Sequence, residues 1–93
     1  MEKFFVYIIF SEHFGKYYRG YSKDPFQRLF QHNNKKSRYT QHFTPWKLIH
    51  LEVFDNKTDA IKREIAVKKY SKYQIEELAR SKKNMLNNFQ HEK

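Results

Sequence analysis

Residues 4–10, near the N-terminus, are apolar both at the even-numbered and at the odd-numbered positions. Because the side chains of a strand alternate between two faces, this pattern predicts a central strand that is covered on both sides. A turn follows, in which Gly15 can adopt a positive φ, and it leads to the tyrosine-rich segment 16–21. The two segments therefore predict an antiparallel hairpin.

A helix is predicted directly after the hairpin. Asp24 followed by Pro25 fits an N-cap and a first helical position, and apolar residues then recur at positions 26, 29 and 30. This apolar stripe is expected to face the core. Arg28 and His32 lie four residues apart on a face away from the stripe, so we expect them to be free to meet a ligand.

The rest of the chain predicts one strand and two helices. Residues 33–45 have no periodicity and are rich in Asn, Lys, Ser and Thr, which is typical of a loop. Residues 46–54 are rich in β-forming side chains and predict a third strand. A helix capped by Asn56 or Thr58 should then run to about Lys72, and a second amphipathic helix should follow it.

The predicted order is β-β-α-β-α-α, in one domain over residues 1–86 with a frayed tail at 87–93. A chain of 93 residues is too short for two independent cores. It has no cysteine, which excludes disulfides, thiolate zinc sites and a cysteine nucleophile. No apolar run approaches the roughly 20 residues that span a bilayer, and no signal peptide is recognisable, so we expect a cytoplasmic protein.

Positive charge is the main compositional signal. Lysine and arginine outnumber aspartate and glutamate by 19 to 10, which gives a formal net charge of +9. Such an excess indicates a polyanionic partner, although a merely soluble basic surface is the alternative. Nucleic acid is favoured because the charges are interleaved with aromatic and amide side chains rather than confined to a tail.

Glu64 is the candidate acidic ligand. It lies at the edge of the apolar stripe of its predicted helix, where an unpaired carboxylate is costly. A divalent metal ion or a basic side chain would serve as its partner. On spacing alone, a salt bridge to Lys68 is the favoured interpretation.

Two tyrosines and an arginine–histidine pair are the other candidates for chemistry. Buried tyrosines such as Tyr7 and Tyr18 usually just find a hydrogen-bond partner, and a reactive role needs a second phenol and a water nearby. The planar fork of Arg28 suits a phosphate, and His32 can hold a phosphate oxygen or exchange a proton. Histidine spacing gives no support for zinc, and phosphate-binding and serine-hydrolase motifs are missing.

These residues resemble the GIY-YIG nuclease superfamily, and in particular its small single-domain bacterial branch of UPF0213-like proteins. FVY at residues 5–7 stands where GIY would, and YRG at residues 18–20 stands where YIG would. The resemblance covers nearly the whole chain. Further similar segments follow at 27–29, 32–33, 36–40, 45–48 and 60–64.

The resemblance implies an α/β (α+β) fold in which helices flank a small three-stranded antiparallel sheet. It also implies roles for the candidate residues. Tyr7 and Tyr18 would activate and position the attacking water, Arg28 would stabilise the scissile phosphate and His32 would assist. Glu64 would hold a single Mg²⁺ or Mn²⁺ ion.

The chain departs from the family pattern at two signature positions. Phe5 replaces the glycine of GIY, and Arg19 replaces the central aliphatic residue of YIG. Neither change removes a catalytic atom, but Arg19 adds a charge to the signature strand. Asn84 is a weak candidate for the asparagine that many relatives carry late in the domain.

Together these features predict a divalent-metal-dependent DNA endonuclease, with DNA favoured over RNA and no membrane partner. The main alternative is a basic module that binds nucleic acid without cutting it, and a third possibility is a protein associated with RNA or ribosomes through charge alone. A basic rim is expected to follow the phosphates. It would comprise Lys35, Lys36, Arg38, Lys62, Lys68, Lys69 and Lys72.

Overall fold

The computed structural model describes residues 2–90, and a three-stranded antiparallel sheet forms its centre. Strand β1 spans Phe4–Ser11, β2 spans Lys16–Ser22 and β3 spans Lys47–Phe54. The strands lie in the order β2-β1-β3. The prediction of a central strand, made from the two apolar sets of β1, is therefore confirmed.

Helices cover both faces of this sheet, as the predicted α+β architecture requires. Helices α1 (Pro25–Asn33) and α4 (Leu86–Gln90) pack on one side, which we call the α1 face. Helices α2 (Lys57–Val67) and α3 (Lys72–Ala79) pack on the other side, the α2 face. A short 3₁₀ helix, Thr40–Phe43, interrupts the loop between α1 and β3. Along residues 2–90, no helix is long and apolar enough to cross a membrane.

Each face of β1 has its own core. On the α2 face, the buried residues are Val6, Ile8, Ala60, Val67, Ile75 and Leu78. On the α1 face, they are Tyr7, Ile9, Trp46, Leu51 and Leu86. This division explains why both alternating sets of β1 are apolar.

The local signals at the hairpin and at the start of α1 are found where the sequence predicts them. Gly15 has a φ of 64° and its backbone N–H donates to the carbonyl oxygen of Ser11 over 2.7 Å, which closes the turn. Asp24 is the N-cap of α1, since its side chain accepts a hydrogen bond from the backbone of Gln27 at 3.0 Å.

The helix boundaries after β3 differ from the prediction. Helix α2 begins after the N-cap Asn56 but ends at Val67 rather than near Lys72. A new helix starts at this point because Ser71 forms a capping box with Gln74, in which each side chain accepts from the other residue's backbone N–H. The single amphipathic helix predicted for the C-terminal part is two helices, α3 and α4.

The buried side of α1 is also not the predicted one. Phe26 and Phe30 are 42% and 61% exposed, whereas His32 is fully buried. Hydropathy treats histidine as a surface residue, but a histidine can be buried when both ring nitrogens have hydrogen-bond partners. His32 has two such partners in this fold, so it lies on the buried side of α1, where Phe26 and Phe30 were expected.

Part of the segment predicted to be a frayed tail is helical. Residues 87–90 belong to helix α4, and the ring of Phe89 meets the ring of Phe5 edge to face at 5.5 Å. The remaining part of the predicted tail, positions 91–93, lies outside the described residues.

Candidate active site

Tyr7 lies at the centre of the candidate site, on β1 and directly opposite Gly20 of β2. Its side chain leans across the strand, so that a Cβ placed on Gly20 would lie 2.5 Å from the Tyr7 hydroxyl oxygen. A side chain at this position would force the ring of Tyr7 to shift. Gly20 is therefore needed for close approach, and it determines where the phenol of Tyr7 can lie.

The hydroxyl of Tyr7 begins a buried hydrogen-bonded chain. Its oxygen lies 3.0 Å from Nε2 of His32, and Nδ1 of His32 lies 2.7 Å from Oγ1 of Thr40. All three side chains are buried. The prediction that His32 is exposed to a ligand is therefore wrong, because its ring is fully buried and both ring nitrogens have protein partners.

Thr40 was not identified from the sequence, and no local pattern marks it. It begins the 3₁₀ helix in the loop after α1, and two hydrogen-bonding residues hold that loop in place. Asn33 pairs with the backbone of Trp46 through both its amide oxygen (2.6 Å) and its amide nitrogen (2.9 Å). The indole N–H of Trp46 donates to the carbonyl oxygen of Thr40 at 2.9 Å. The loop is thus fastened where it supplies the second partner of His32.

Burial keeps both Tyr7 and His32 uncharged at neutral pH. It raises the pKa of Tyr7 to about 12, with the nearby charge of Arg28 opposing the shift and Tyr18 and Glu64 adding to it. Burial also lowers the pKa of His32 to about 4, and the positive charge of Arg28 adds to that effect. A neutral imidazole has one N–H and one bare nitrogen, so His32 can accept the Tyr7 proton at Nε2 while it donates to Thr40.

Tyr18 and Arg28 flank this chain. The ring of Tyr18 lies 5.0 Å from that of His32 and 6.5 Å from that of Tyr7, measured between centroids. Arg28 is partly exposed and its Nη1 donates to Oε1 of Gln31 at 2.6 Å. The positive charge of this guanidinium acts on the pKa of both Tyr7 and His32.

Glu64 lies on helix α2. Its charge contributes to the raised pKa of Tyr7, and its side chain is only 15% exposed. Oε2 of Glu64 lies 3.4 Å from Nζ of Lys68, so the salt bridge favoured on spacing is present. Over the part of the chain that the structure describes, no three histidine, aspartate or glutamate side chains converge on a possible metal position.

The residues of the predicted basic rim are all exposed, but they fall into two groups. One group lies in the loop after α1, next to Thr40, and the other lies on or after α2, on the opposite face of the sheet. The first group is Lys35, Lys36 and Arg38, and the second is Lys62, Lys68, Lys69 and Lys72. Within residues 2–90, Lys68 is the only one of these seven residues that forms an ion pair with a candidate site residue, and its partner is Glu64.

A second buried polar group was missed from the sequence. Glu52 on β3 accepts from Nε and Nη2 of Arg63 at 2.9 and 3.1 Å, and its carboxylate lies 2.7 Å from Nε2 of His50. Burial alone would raise the pKa of Glu52, but hydrogen bonds from His50 and Arg63 outweigh it and lower the pKa. Because Arg63 directly precedes Glu64, this ion pair fixes the part of α2 that carries Glu64.

Asn84 has a structural place at the outer edge of β3. Its amide oxygen accepts from the backbone of Leu51 at 3.1 Å and its amide nitrogen donates to the carbonyl oxygen of Ile49 at 2.9 Å. The backbone N–H of Met85 also donates to Leu51 at 2.7 Å. These bonds cover an edge strand that would otherwise be open for pairing.

Comparisons with known proteins agree with the fold. A family model described as the GIY-YIG catalytic domain matches residues 3–77. A UPF0213 protein of Staphylococcus epidermidis is 40% identical over 75 residues, which cover 80% of this chain and 90% of the relative. One of Staphylococcus saprophyticus is 38% identical over 73 residues, which cover 77% and 88%. The solution NMR structure of a UPF0213 protein from Bacillus halodurans covers 92% of each chain at 30% identity, with a TM-score of 0.55.

Proposed function

We propose, from the premise that this chain belongs to the GIY-YIG family, that it is a divalent-metal-dependent DNA endonuclease acting in the cytoplasm. The observation that carries the proposal is the buried chain from the Tyr7 hydroxyl through His32 to Thr40, with Arg28 and Tyr18 beside it. A buried, connected chain of a phenol, an imidazole and a hydroxyl is an arrangement that proton-transfer chemistry uses.

The proposed reaction is the hydrolysis of a phosphodiester bond. Water attacks phosphorus as the bond to the leaving oxygen breaks, and the departing oxygen takes a proton from solvent. The proton of the attacking water passes to the hydroxyl of Tyr7, whose own proton moves to Nε2 of His32. Because Tyr7 and His32 are both neutral at pH 7, this transfer accompanies the attack rather than preceding it.

Arg28 and Tyr18 act on the phosphate and the water. The guanidinium of Arg28 can donate two parallel hydrogen bonds to phosphate oxygens, and these bonds strengthen as negative charge develops. Tyr18 lies against His32 and can position the attacking water beside Tyr7. Neither residue needs to change its protonation state for these roles.

A single carboxylate fits a magnesium or manganese ion that keeps most of its waters. Mg²⁺ is commonly bound through one or two carboxylates together with substrate phosphates rather than by a full protein cage. Glu64 would hold the ion, after its carboxylate leaves Lys68, and the ion would polarise the phosphate and offset charge on the leaving oxygen. Lys68 is then free to contact a phosphate.

The alternative function is a basic module that binds nucleic acid, DNA or RNA, without cutting it. The Glu64–Lys68 ion pair favours it, because a carboxylate that is already paired has less need of a metal ion. Metal-dependent cutting separates the two functions.

The test is incubation of the pure protein with branched, single-stranded and duplex DNA in Mg²⁺ or Mn²⁺, with EDTA and a Glu64→Gln variant as controls. The endonuclease predicts cutting of at least one substrate, abolished by EDTA and by Glu64→Gln. Binding without cutting under every condition would support the alternative.

A further inference from the structure

A continuous line of aromatic rings leads away from the candidate active site, and we call it the aromatic track. It consists of Tyr18, Tyr39, Phe43 and Phe14. Tyr18 and Tyr39 stack at 6.2 Å with an interplanar angle of 27°, Tyr39 lies 5.3 Å from Phe43, and Phe43 lies 5.4 Å from Phe14. The track therefore runs from His32's neighbour Tyr18 to the tip of the hairpin.

Packing explains only part of this track. Phe43 and Tyr18 pack against the core of the α1 face, as aromatic residues near a sheet usually do. Tyr39 and Phe14 are different, because 49% and 46% of their surfaces remain exposed. These two large rings remain about half exposed, so they provide apolar surface that is not buried in the core.

Positive charge accompanies the track. Nζ of Lys16 lies 5.4 Å from the ring centroid of Phe43. The exposed loop that ends at Tyr39 carries Lys35, Lys36 and Arg38. The acid nearest the hairpin tip in sequence, Glu12, has its charge offset by Lys47 at 3.7 Å. Rings interleaved with cations match a chain of bases joined by phosphates.

A cavity continues the track beyond Phe14. It has a volume of about 670 Å³, and its border includes the rings of Phe10, Phe14 and Trp46 and the ion pair between Glu12 and Lys47. Its apolar walls suit one flat base.

We propose that the aromatic track binds the unpaired bases of a DNA strand whose scissile phosphate reaches Arg28. This proposal rests on the proposed function for the cut itself, but the binding does not require cutting. In a duplex the faces of the bases are covered by their neighbours, so only an unpaired strand can stack on Tyr39 and Phe14. The track thus selects single-stranded DNA, or the unpaired arm of a branched substrate.

The test measures binding in EDTA, so that no strand is cut. Fluorescence anisotropy of a labelled dT oligonucleotide of about 16 nucleotides is compared with that of a duplex of equal length. The variants are Tyr39→Leu and Phe14→Leu, which keep an apolar side chain but remove the ring. The matched control is Tyr73→Leu, since Tyr73 is 68% exposed at the start of α3 on the other face of the sheet.

We expect Tyr39→Leu and Phe14→Leu each to weaken binding of the oligonucleotide by about fivefold or more, with duplex binding unchanged. Tyr73→Leu should bind like the parent. Quenching of the single tryptophan, Trp46, on addition of oligonucleotide gives a second readout, because Trp46 borders the cavity. Circular dichroism establishes that each variant is folded.

Unchanged oligonucleotide binding in the folded Tyr39→Leu and Phe14→Leu variants would overturn the proposal, as would an equal loss in Tyr73→Leu or in duplex binding. Stronger binding of an RNA oligonucleotide than of DNA would overturn the assignment to DNA. The two proposals fail separately. If the protein binds the oligonucleotide through the track but never cuts DNA, the proposed nuclease function is refuted. If it cuts duplex DNA and the track variants bind the oligonucleotide normally, the proposed role of the track is refuted.

Discussion

Acid should destabilise this protein through one buried histidine, His32. Its pKa is about 4 in the fold, against 6.5 for an ordinary histidine, because the ring is buried beside Arg28. Hydrogen bonding does not cause the shift, since the hydroxyls of Tyr7 and Thr40 can accept from a protonated ring as well as donate to a neutral one. The folded state therefore resists a proton that the unfolded state takes up.

The sign and the pH range follow from that difference. Because the pKa of His32 is lowered on folding, its contribution to the free energy of unfolding is fully present above pH 6.5. That contribution is lost as the pH falls toward 4. The full difference corresponds to about 3 kcal/mol, of which about 2 kcal/mol is lost between pH 7 and pH 5. At pH 5 most carboxylates are still ionised, so their protonation contributes little to the change.

The free energy of unfolding is measured by urea titration at pH 7 and pH 5 for the parent and for His32→Gln, with the fluorescence of Trp46 as the signal. The parent should lose about 2 kcal/mol more than the variant over that range. His42→Gln is the matched control, because His42 is exposed in the adjacent 3₁₀ helix, and it should keep the parent's pH dependence. If parent and His32→Gln lose equal stability, the reasoning about the buried, neutral histidine is refuted.

Three further outcomes are expected. Arg28→Ala should lower the cleavage rate by about 10²-fold or more with little change in DNA affinity, whereas Lys36→Ala should weaken affinity and leave the single-turnover rate unchanged; the opposite pattern would reverse these roles. Gly20→Ala places a methyl group 2.5 Å from the Tyr7 hydroxyl oxygen and so displaces the phenol, which should reduce cleavage by about 10²-fold while binding persists; a normal cleavage rate would contradict that geometry. Duplex affinity should fall by roughly 0.9 log unit per log unit of salt for each phosphate neutralised; a flat dependence would exclude phosphate-dominated binding.

The sheet could be predicted because its signals are local. Two apolar sets mark the central strand, Gly15 marks the turn, and Asp24 caps α1. Each signal depends on near neighbours, as does the ion pair between Glu64 and Lys68 at i and i+4.

The features that could not be predicted depend on partners distant in sequence. His32 is buried only because Tyr7 and Thr40, from a strand and a loop, supply hydroxyls for both ring nitrogens. Glu52 is buried only because Arg63 reaches it from α2. Hydropathy assigns such residues to the surface, and the buried side of α1 was therefore misassigned.

The catalytic role of Tyr7 is tested most directly by comparing Tyr7→Phe with Tyr17→Phe. Both changes remove one tyrosine hydroxyl from the same sheet, but Tyr17 packs on the α2 face and donates to Glu76 at 3.2 Å, away from the His32 chain. Single-turnover cleavage with Mg²⁺ or Mn²⁺ is measured for both variants after their folding and DNA binding have been verified. We expect Tyr17→Phe to cut within a few-fold of the parent and Tyr7→Phe to be slower by about 10²-fold or more. Equal rates for the two variants, or a parent that cuts no DNA with either metal, would contradict the proposed nuclease.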